Sequence, residues 1–197
     1  MPYEYFETSK KQLIFYLNNS INKDTQFILT VMLKNGNHWI LGLINLRRMV
    51  IGILDSNASY ENNAHNHNEW FAKLHLVADA ALKLTNRNLR NPWRNFMAND
   101  NPRQQNGSDC GVFVCRYGNN IMNNKKDNFT IGPGEYRDEI KKVINRGRQL
   151  EPANDRIIDP TIKRVIFKEE YLASFNQKEI QVTEISYFDL ADFFCVK

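Results

Sequence analysis

Three apolar runs lie close together in the first third of the chain and predict β-strands. They cover residues 27–33, 39–46 and 49–54. Each run is too short for a buried helix and contains β-branched residues, as is typical of strands with both faces covered. Only the polar pair Arg47-Arg48 separates the second run from the third, so these two runs predict a hairpin.

Helical spacing of apolar residues appears both before and after these strands. A short helix is predicted over residues 10–21, and an amphipathic helix over residues 70–84. A short strand near residues 93–97 precedes a segment, residues 111–122, that is apolar nearly all round and predicts a buried helix. The charged stretch 135–148 predicts a further helix, with an inner face made of Tyr136, Ile140, Val143 and Ile144.

The last 47 residues differ from the rest, because Pro152 and Pro160 mark a linker. Beyond it, the pattern predicts a small appendage with a strand at residues 162–167, a short helix and a final apolar stretch. We therefore expect a domain over residues 1–150 and a C-terminal extension of unknown role over residues 151–197. The elements together predict an α+β fold, with a central mixed or antiparallel sheet flanked by helices.

Composition supports a globular chain that needs no covalent staples. The 197 residues are 42% hydrophobic and 24% charged, which is enough to bury a core. The longest apolar run is far shorter than a membrane span, and no secretory leader is recognisable. Three cysteines without a Cys-x-x-Cys pair argue against a disulfide framework or a zinc knuckle. We expect a reducing compartment, the cytoplasm or the nucleus.

Charge is unevenly distributed along the chain. Residues 1–150 carry a net charge of +7 and residues 151–197 a net charge of −3. The basic residues are scattered, and no block reaches five like charges. We therefore expect no nucleic-acid partner. His65 and His67 lie in a predicted loop and His75 lies on the helix that follows it, so we expect no metal and no other cofactor.

The predicted hairpin brings a histidine close to a carboxylate. If its turn centres between Leu46 and Arg47, then His38 faces Asp55 directly; if the turn centres one residue later, the two are diagonal neighbours on the same face. A carboxylate that accepts the Nδ1 proton would leave Nε2 free to act as a base. A satisfied surface pair without a catalytic task is the alternative interpretation.

A cysteine lies where a polar turn becomes the apolar helix. Cys110 follows Asn-Gly-Ser-Asp, and a thiol at a helix N-terminus meets the positive end of the helix dipole, which favours thiolate. Gly111 leaves space for a substrate carbonyl to approach. A side-chain amide from Gln104 or Gln105, together with the Cys110 backbone N–H, could donate to a developing oxyanion. Cys115 is expected in the core.

These residues resemble the signature of the Ulp/SENP cysteine proteases. The match consists of His38-Trp39, Asp55-Ser56 and the run from Gln104 to Gly111, in the order His, Asp, Gln, Cys. It includes the spacings of 17 residues from His38 to Asp55 and 72 from His38 to Cys110, with a glutamine six residues before the cysteine. It covers about residues 25–150.

The resemblance implies a papain-like core of the Ulp/adenain type and a thiol protease. By resemblance, His38 is the general base, Asp55 orients it, Cys110 is the nucleophile and Gln104 the oxyanion donor, with Gln105 as the alternative donor. Trp39 would flank, beside Gly111, a narrow tunnel that admits a Gly-Gly tail. The implied substrates are conjugates of SUMO, ubiquitin or another ubiquitin-like protein, and no membrane is involved.

The chain also departs from that family. Only 37 residues precede His38, and the Trp-Leu-Asn-Asp motif that usually closes over the tail is not among them. The modifier therefore stays open among SUMO, NEDD8 and ubiquitin. A deubiquitylating effector, secreted to act in a host cytosol, and a degenerate module that binds a modifier without cutting are the two rival interpretations.

Overall fold

The computed structural model describes residues 5–8, 21–57, 67–87, 92–123, 125, 132–150, 164–167 and 180–194. The strands are β1 (Tyr5–Thr8), β2 (Phe27–Lys34), β3 (His38–Asn45), β4 (Val50–Leu54), β5 (Arg94–Ala98), β6 (Arg164–Phe167) and β7 (Val182–Ile185). The helices are α1 (Asn68–Leu84), α2 (Cys110–Met122), α3 (Pro133–Leu150) and α4 (Tyr187–Phe193). Residues 10–20 of the helix predicted over residues 10–21 lie outside the described residues.

A mixed five-stranded sheet organises the fold, in the order β2-β3-β4-β5-β7. The first three strands pair antiparallel, whereas β4, β5 and β7 run parallel to one another. A separate parallel pair joins β1 to β6. The α+β architecture with a central mixed sheet, predicted from the sequence, is confirmed.

Helices cover both faces of the sheet, which explains the unbroken apolar runs. Along β3, Ile40 and Ile44 face the core cluster that includes Phe71 and Leu74 of α1. The alternate residues, Leu41 and Leu43, face the cluster built from α2 and α4. The predicted helix at residues 70–84 and the buried helix after Gly111 are both present.

Two expectations about individual helix faces are wrong. Val143 and Ile144 are 67% and 49% exposed, although they were expected on the inner face of α3. Tyr136 in the first turn is buried, and its ring lies under the Arg116 guanidinium of α2, so that the contact with α2 involves the start of α3. Cys115 is exposed rather than in the core, because five residues of helix turn it well away from Cys110.

The C-terminal residues contribute to the main core. β7 pairs with β5 as the fifth strand, and Leu190 of α4 is fully buried. Asn45 at the end of β3 donates a hydrogen bond of 2.5 Å to the Phe193 carbonyl. The domain division at residue 150 stays a prediction, but residues 182–194 are integral to the sheet and its core. No helix in the described part of the chain is long and apolar enough to span a bilayer.

Gly42 offers a test of the close approach between β3 and α1. A methyl group there would lie 2.6 Å from Cδ2 of Leu74 and 2.9 Å from Cε of Met32. We expect Gly42→Ala to lower the free energy of unfolding by about 1–3 kcal/mol in urea titrations, because it overpacks the core. Gly118→Ala is the matched control: its methyl would lie 3.7 Å from Leu29, and it should leave stability equal or higher. Equal effects of the two substitutions would contradict this packing argument.

Candidate active site

His38 and Asp55 meet at one end of the sheet. His38 is the first residue of β3 and Asp55 directly follows β4. The strands pair Leu41 with Leu54 and Gly42 with Ile53, so the hairpin turn centres between Arg47 and Arg48. This is the second of the two registers considered, and it makes His38 and Asp55 diagonal neighbours. Nε2 of His38 lies 2.6 Å from Oδ1 of Asp55, and both residues are buried.

The ring orientation of His38 corrects the expected roles of its nitrogens. Nε2, rather than Nδ1, faces the Asp55 carboxylate. The carboxylate accepts the Nε2 proton, which leaves the Nδ1 lone pair as the acceptor in the neutral ring. The base predicted for this histidine is therefore Nδ1.

Each oxygen of the Asp55 carboxylate has two hydrogen-bonding neighbours. Oδ1 also accepts the Asn57 backbone N–H at 2.9 Å, while Oδ2 lies 3.2 Å from Lys34 Nζ and 3.0 Å from His67 Nε2. Burial by itself would raise the pKa of Asp55, but hydrogen bonds from His38, His67 and Asn57 and the charge of Lys34 hold it well below its usual range. Asp55 is therefore a carboxylate at any physiological pH.

Cys110 is the first residue of α2 and is buried, with only 5% of its surface exposed. α2 packs against β3, and a methyl group on Gly111 would lie 3.8 Å from Cδ1 of Trp39. The Cys110-Gly111 pair therefore starts α2 beside the His38-Trp39 pair that starts β3. Trp39 itself is 40% exposed at this position.

Gln104 is built into the site by its neighbours. Its backbone N–H donates to the Ser56 carbonyl at 2.9 Å, and residues 57 and 104 form a parallel bridge. The Ser56 hydroxyl donates to Oε1 at 2.7 Å, and Nε2 of Gln104 donates to the Asn106 carbonyl at 2.5 Å. These contacts establish which atom of the Gln104 side-chain amide is the oxygen and which is the nitrogen. Gln105 is exposed, so of the two candidate donors the structure brings only Gln104 into this cluster.

A network of polar side chains shapes the loop before Cys110. Asn106 accepts the backbone N–H groups of Ser108 and Asp109 at 2.9 and 3.0 Å and donates to the Asp109 carboxylate at 2.7 Å. Arg137 of α3 donates to the other Asp109 oxygen and holds the pKa of that carboxyl below its usual value. The turn that presents Cys110 is therefore anchored to α3.

His67 and His75 lie in separate environments. His75 hydrogen-bonds Asn95 at 2.9 Å, and burial lowers its pKa. His67 is buried against Asp55 and Lys34, and His65 lies outside the described residues. Within the described residues, no group of three His, Cys, Asp or Glu side chains could hold a metal ion.

The sequence profile of the Ulp1 protease family, C-terminal catalytic domain, matches residues 4–145. This match covers more than half of the chain and every residue of the site described above.

The chain belongs to the Ulp1 protease family.

Relatives within this family are distant. Human sentrin-specific protease 2 and its Pongo abelii counterpart are each 30% identical over 113 residues, which are 56% of this chain and 18% of theirs. The chain thus spans less than a fifth of the curated relatives that it matches.

Solved structures with some likeness carry the same family name. The C-terminal Ulp1 protease domain, in complex with Smt3, the yeast ortholog of SUMO, is 25% identical, with a TM-score of 0.46 over 58% of this chain and 50% of that one. The Ulp1-like SUMO protease catalytic domain of Chaetomium thermophilum is 31% identical, with a TM-score of 0.34 over 47% of this chain and 33% of that one.

Sequence reasoning missed two members of the Asp55 cluster, Lys34 and His67. A signal for Lys34 was present, because Lys34 pairs with His38 across the turn at residues 35–37. No comparable signal existed for His67, which reaches Asp55 only because α1 begins beside this end of the sheet.

Replacing the Asp55 carboxylate should make the stability of the protein less dependent on pH in the acidic range. The lowered pKa means that Asp55 stabilises the folded state fully above about pH 4 and progressively less as the pH falls towards the folded-state value. We expect Asp55→Asn to lower the free energy of unfolding by about 3 kcal/mol at pH 7, because the Lys34 ammonium stays buried without its carboxylate. The difference in unfolding free energy between this variant and the wild type should narrow by about 1 kcal/mol between pH 6 and pH 3 in urea titrations.

The matched control is Asp138→Asn, which removes a carboxylate from an exposed pair with Lys141. It should leave stability at pH 7 almost unchanged. An Asp55→Asn protein that is as stable as the wild type at pH 7, or a difference independent of pH, would disprove the assigned role of this carboxylate.

Proposed function

We propose that this chain is a cysteine protease that hydrolyses the peptide or isopeptide bond after the C-terminal Gly-Gly of SUMO or a related ubiquitin-like modifier. The observation that carries the proposal is the buried contact of 2.6 Å between His38 and Asp55, at the end of β3 beside which Cys110 begins α2. Membership of the Ulp1 protease family supports the same chemistry.

In the first step, Nδ1 of His38 takes the proton from the Cys110 thiol. The Asp55 carboxylate holds the ring through Nε2 and stabilises the imidazolium that forms. Cys110 also lies at the positive end of the α2 helix dipole, where a negative charge is favourable. The thiolate sulfur then attacks the carbonyl carbon of the terminal glycine.

The tetrahedral intermediate places negative charge on the former carbonyl oxygen. The backbone N–H of Cys110 and the side-chain amide of Gln104 are the proposed donors to this oxyanion. Nε2 of Gln104 carries two hydrogens, and one of them already serves the Asn106 carbonyl. The Ser56 hydroxyl on Oε1 keeps the NH₂ group directed away from Ser56.

Collapse of the intermediate breaks the C–N bond, and His38 returns the proton to the departing amine. The product is a thioester between Cys110 and the modifier. His38 then takes a proton from water, the hydroxide attacks the thioester, and the modifier leaves with a free carboxylate as the thiol is restored. The reaction consumes one water and needs no cofactor.

Trp39 and Gly111 are the proposed walls of the tail-binding tunnel. The indole is 40% exposed, and its Cδ1 lies 3.8 Å from where a Gly111 methyl would be, so a side chain at position 111 would narrow this space. The proposed tunnel would admit glycine more readily than larger residues of the substrate tail. Because the nucleophile is a thiol, we also propose a reducing setting: cytoplasm, nucleus or the cytosol of a host cell.

A panel of activity probes tests the proposal and identifies the modifier. We expect vinyl sulfone derivatives of SUMO to label the protein covalently, and Cys110→Ala to abolish both labelling and turnover of a fluorogenic modifier substrate. Cys115→Ala, which removes an exposed thiol on the same helix, should change neither readout. The labelled residue would be located by peptide mass spectrometry.

The other outcomes of this panel discriminate between the rival functions. Labelling by ubiquitin or NEDD8 probes alone would replace SUMO as the substrate and keep the chemistry. Tight binding of a modifier without turnover would indicate a degenerate binding module. Turnover that survives in Cys110→Ala would disprove the mechanism.

The two adjacent glutamines provide a test of the oxyanion donor. We expect Gln104→Ala to lower kcat by roughly 100-fold, the usual effect of removing one oxyanion donor, with little change in KM. Gln105→Ala is the matched control, since Gln105 is exposed, and it should alter kcat by no more than a few fold. Equal losses in the two variants would show that Gln104 is not the donor.

A further inference from the structure

Two buried basic side chains meet the far side of the Asp55 carboxylate. The side chains of Lys34 and His67 are 5% and 1% exposed. Lys34 Nζ lies 3.2 Å from both Oδ2 of Asp55 and Nε2 of His67, and this Nε2 lies 3.0 Å from the same Oδ2. The three groups form a triangle opposite His38. The mechanism proposed above uses neither Lys34 nor His67.

The triangle constrains how the carboxylate can rotate. Lys34 is the last residue of β2, and His67 precedes α1, so that Oδ2 is held from two separate elements. On the other side, Oδ1 accepts from His38 and from the Asn57 backbone. Because the two carboxylate oxygens lie in one plane, the contacts of Oδ2 with Lys34 and His67 direct Oδ1 towards His38.

Two arrangements of the protons are available to the triangle when His67 is neutral. If Nε2 of His67 carries the proton, it donates to Oδ2, and the Lys34 ammonium donates to the same oxygen. If Nε2 carries no proton, it can accept from the Lys34 ammonium at 3.2 Å, but its lone pair then faces the carboxylate oxygen at 3.0 Å, so the first arrangement gives the carboxylate one more donor. Asp55 is then paired with one full positive charge, that of Lys34.

The charge on Lys34 affects Cys110 and His38, the proposed nucleophile pair, through Asp55. A carboxylate that is shared with an ammonium group stabilises a neighbouring imidazolium less than an unshared carboxylate does. A positive charge close by also favours the release of protons from the thiol and the imidazole. Lys34 therefore determines part of the charge that Asp55 presents to His38.

We propose that Lys34 and His67 are positioning residues of the active site: His67 fixes the orientation of the Asp55 carboxylate, and Lys34 sets the charge that Asp55 presents to His38. The proposal rests on the proposed function, because it assigns these residues a task in the same reaction. Neither residue touches the scissile bond in this scheme. Among the described residues, Lys34, His38 and His67 contact this carboxylate, Arg103 donates to the Asp55 backbone carbonyl, and the Tyr117 hydroxyl is electrostatically coupled to Asp55. Cys110 is the proposed partner of His38.

Substitution pairs separate the two tasks. Lys34→Met removes the charge and keeps most of the stem, whereas Lys34→Arg keeps the charge. His67→Leu removes the donor, whereas His67→Gln retains an N–H donor. Lys83→Met, on the exposed last turn of α1, is the control for loss of one positive charge elsewhere.

Two readouts are compared in each full-length variant. The first is the pH profile of Cys110 alkylation by iodoacetamide, which needs no protein substrate. The second is kcat and KM on the fluorogenic modifier substrate. Circular dichroism melting establishes that each variant is folded at the assay temperature.

The alkylation profile has two limbs, one for each deprotonation step of the Cys110-His38 pair. We expect Lys34→Met to move both limbs to higher pH by ~0.5–1 unit, because a nearby positive charge is lost. Lys34→Arg and Lys83→Met should leave the limbs in place. His67→Leu should lower kcat about tenfold with KM unchanged, the scale expected for a slightly misplaced catalytic group, and His67→Gln should recover most of that loss.

Several results would overturn the proposal. They are an unshifted profile in folded Lys34→Met, equal kcat in His67→Leu and wild type, or failure of His67→Gln to exceed His67→Leu. If Lys34→Met and His67→Leu do not fold while Lys34→Arg and His67→Gln do, then a shifted alkylation profile in Lys34→Arg, or a kcat in His67→Gln that is tenfold or more below the wild type, would overturn the proposal. Unfolding of all four variants would indicate a purely structural role.

The proposed function can fail separately from this proposal. A wild-type alkylation profile with the midpoint of an ordinary thiol, and no turnover, would contradict the nucleophile pair itself. A wild-type profile typical of an activated thiol that is unchanged in Lys34→Met would contradict only the role of Lys34.

Discussion

The organisation of the site depends on one buried carboxylate that has four hydrogen-bond partners. Asp55 accepts from His38, His67 and Lys34 and from a backbone N–H, and these partners come from different segments of the chain. A buried charge is tolerated only when it is paired and hydrogen-bonded, so the fold must bring these partners together for Asp55 to stay ionised. The same pairing that stabilises the fold at this point also orients the proposed base.

The backbone of Asp55 is held as firmly as its side chain. Its carbonyl accepts from Asn101 at 2.8 Å and from Arg103 at 3.0 Å. Asn101 also donates to the Tyr117 hydroxyl, and the Tyr117 ring lies 5.8 Å from the ring of Tyr187 in α4. Packing of the C-terminal helix is thus connected through α2 to the loop that supports the carboxylate. This connection explains how residues far along the chain contribute to a site formed by β3 and β4.

Chemistry and substrate choice depend on different parts of the molecule. The proposed chemistry requires a thiol, an imidazole, a carboxylate and an amide, and the described core supplies all four at one end of the sheet. Selection of a modifier requires a surface that fits a folded protein. The proposed tunnel residues, Trp39 and Gly111, would contact only the tail of such a protein, and tails that end in Gly-Gly are common to several modifiers. The proposed reaction is therefore more sharply specified than the modifier on which it acts.

Local patterns in the sequence determined the elements, and the motif around Cys110 together with the His38-Asp55 spacing indicated the family. Such features depend on neighbours along the chain, which is why the strands, the buried helix and the choice of candidate residues could be predicted. Only the tertiary structure decided which ring nitrogen faces Asp55, that residues 182–194 complete the sheet, and that Lys34 and His67 share the carboxylate. These contacts join segments that are distant in sequence, and their geometry depends on how β2, α1 and the sheet pack rather than on any local periodicity.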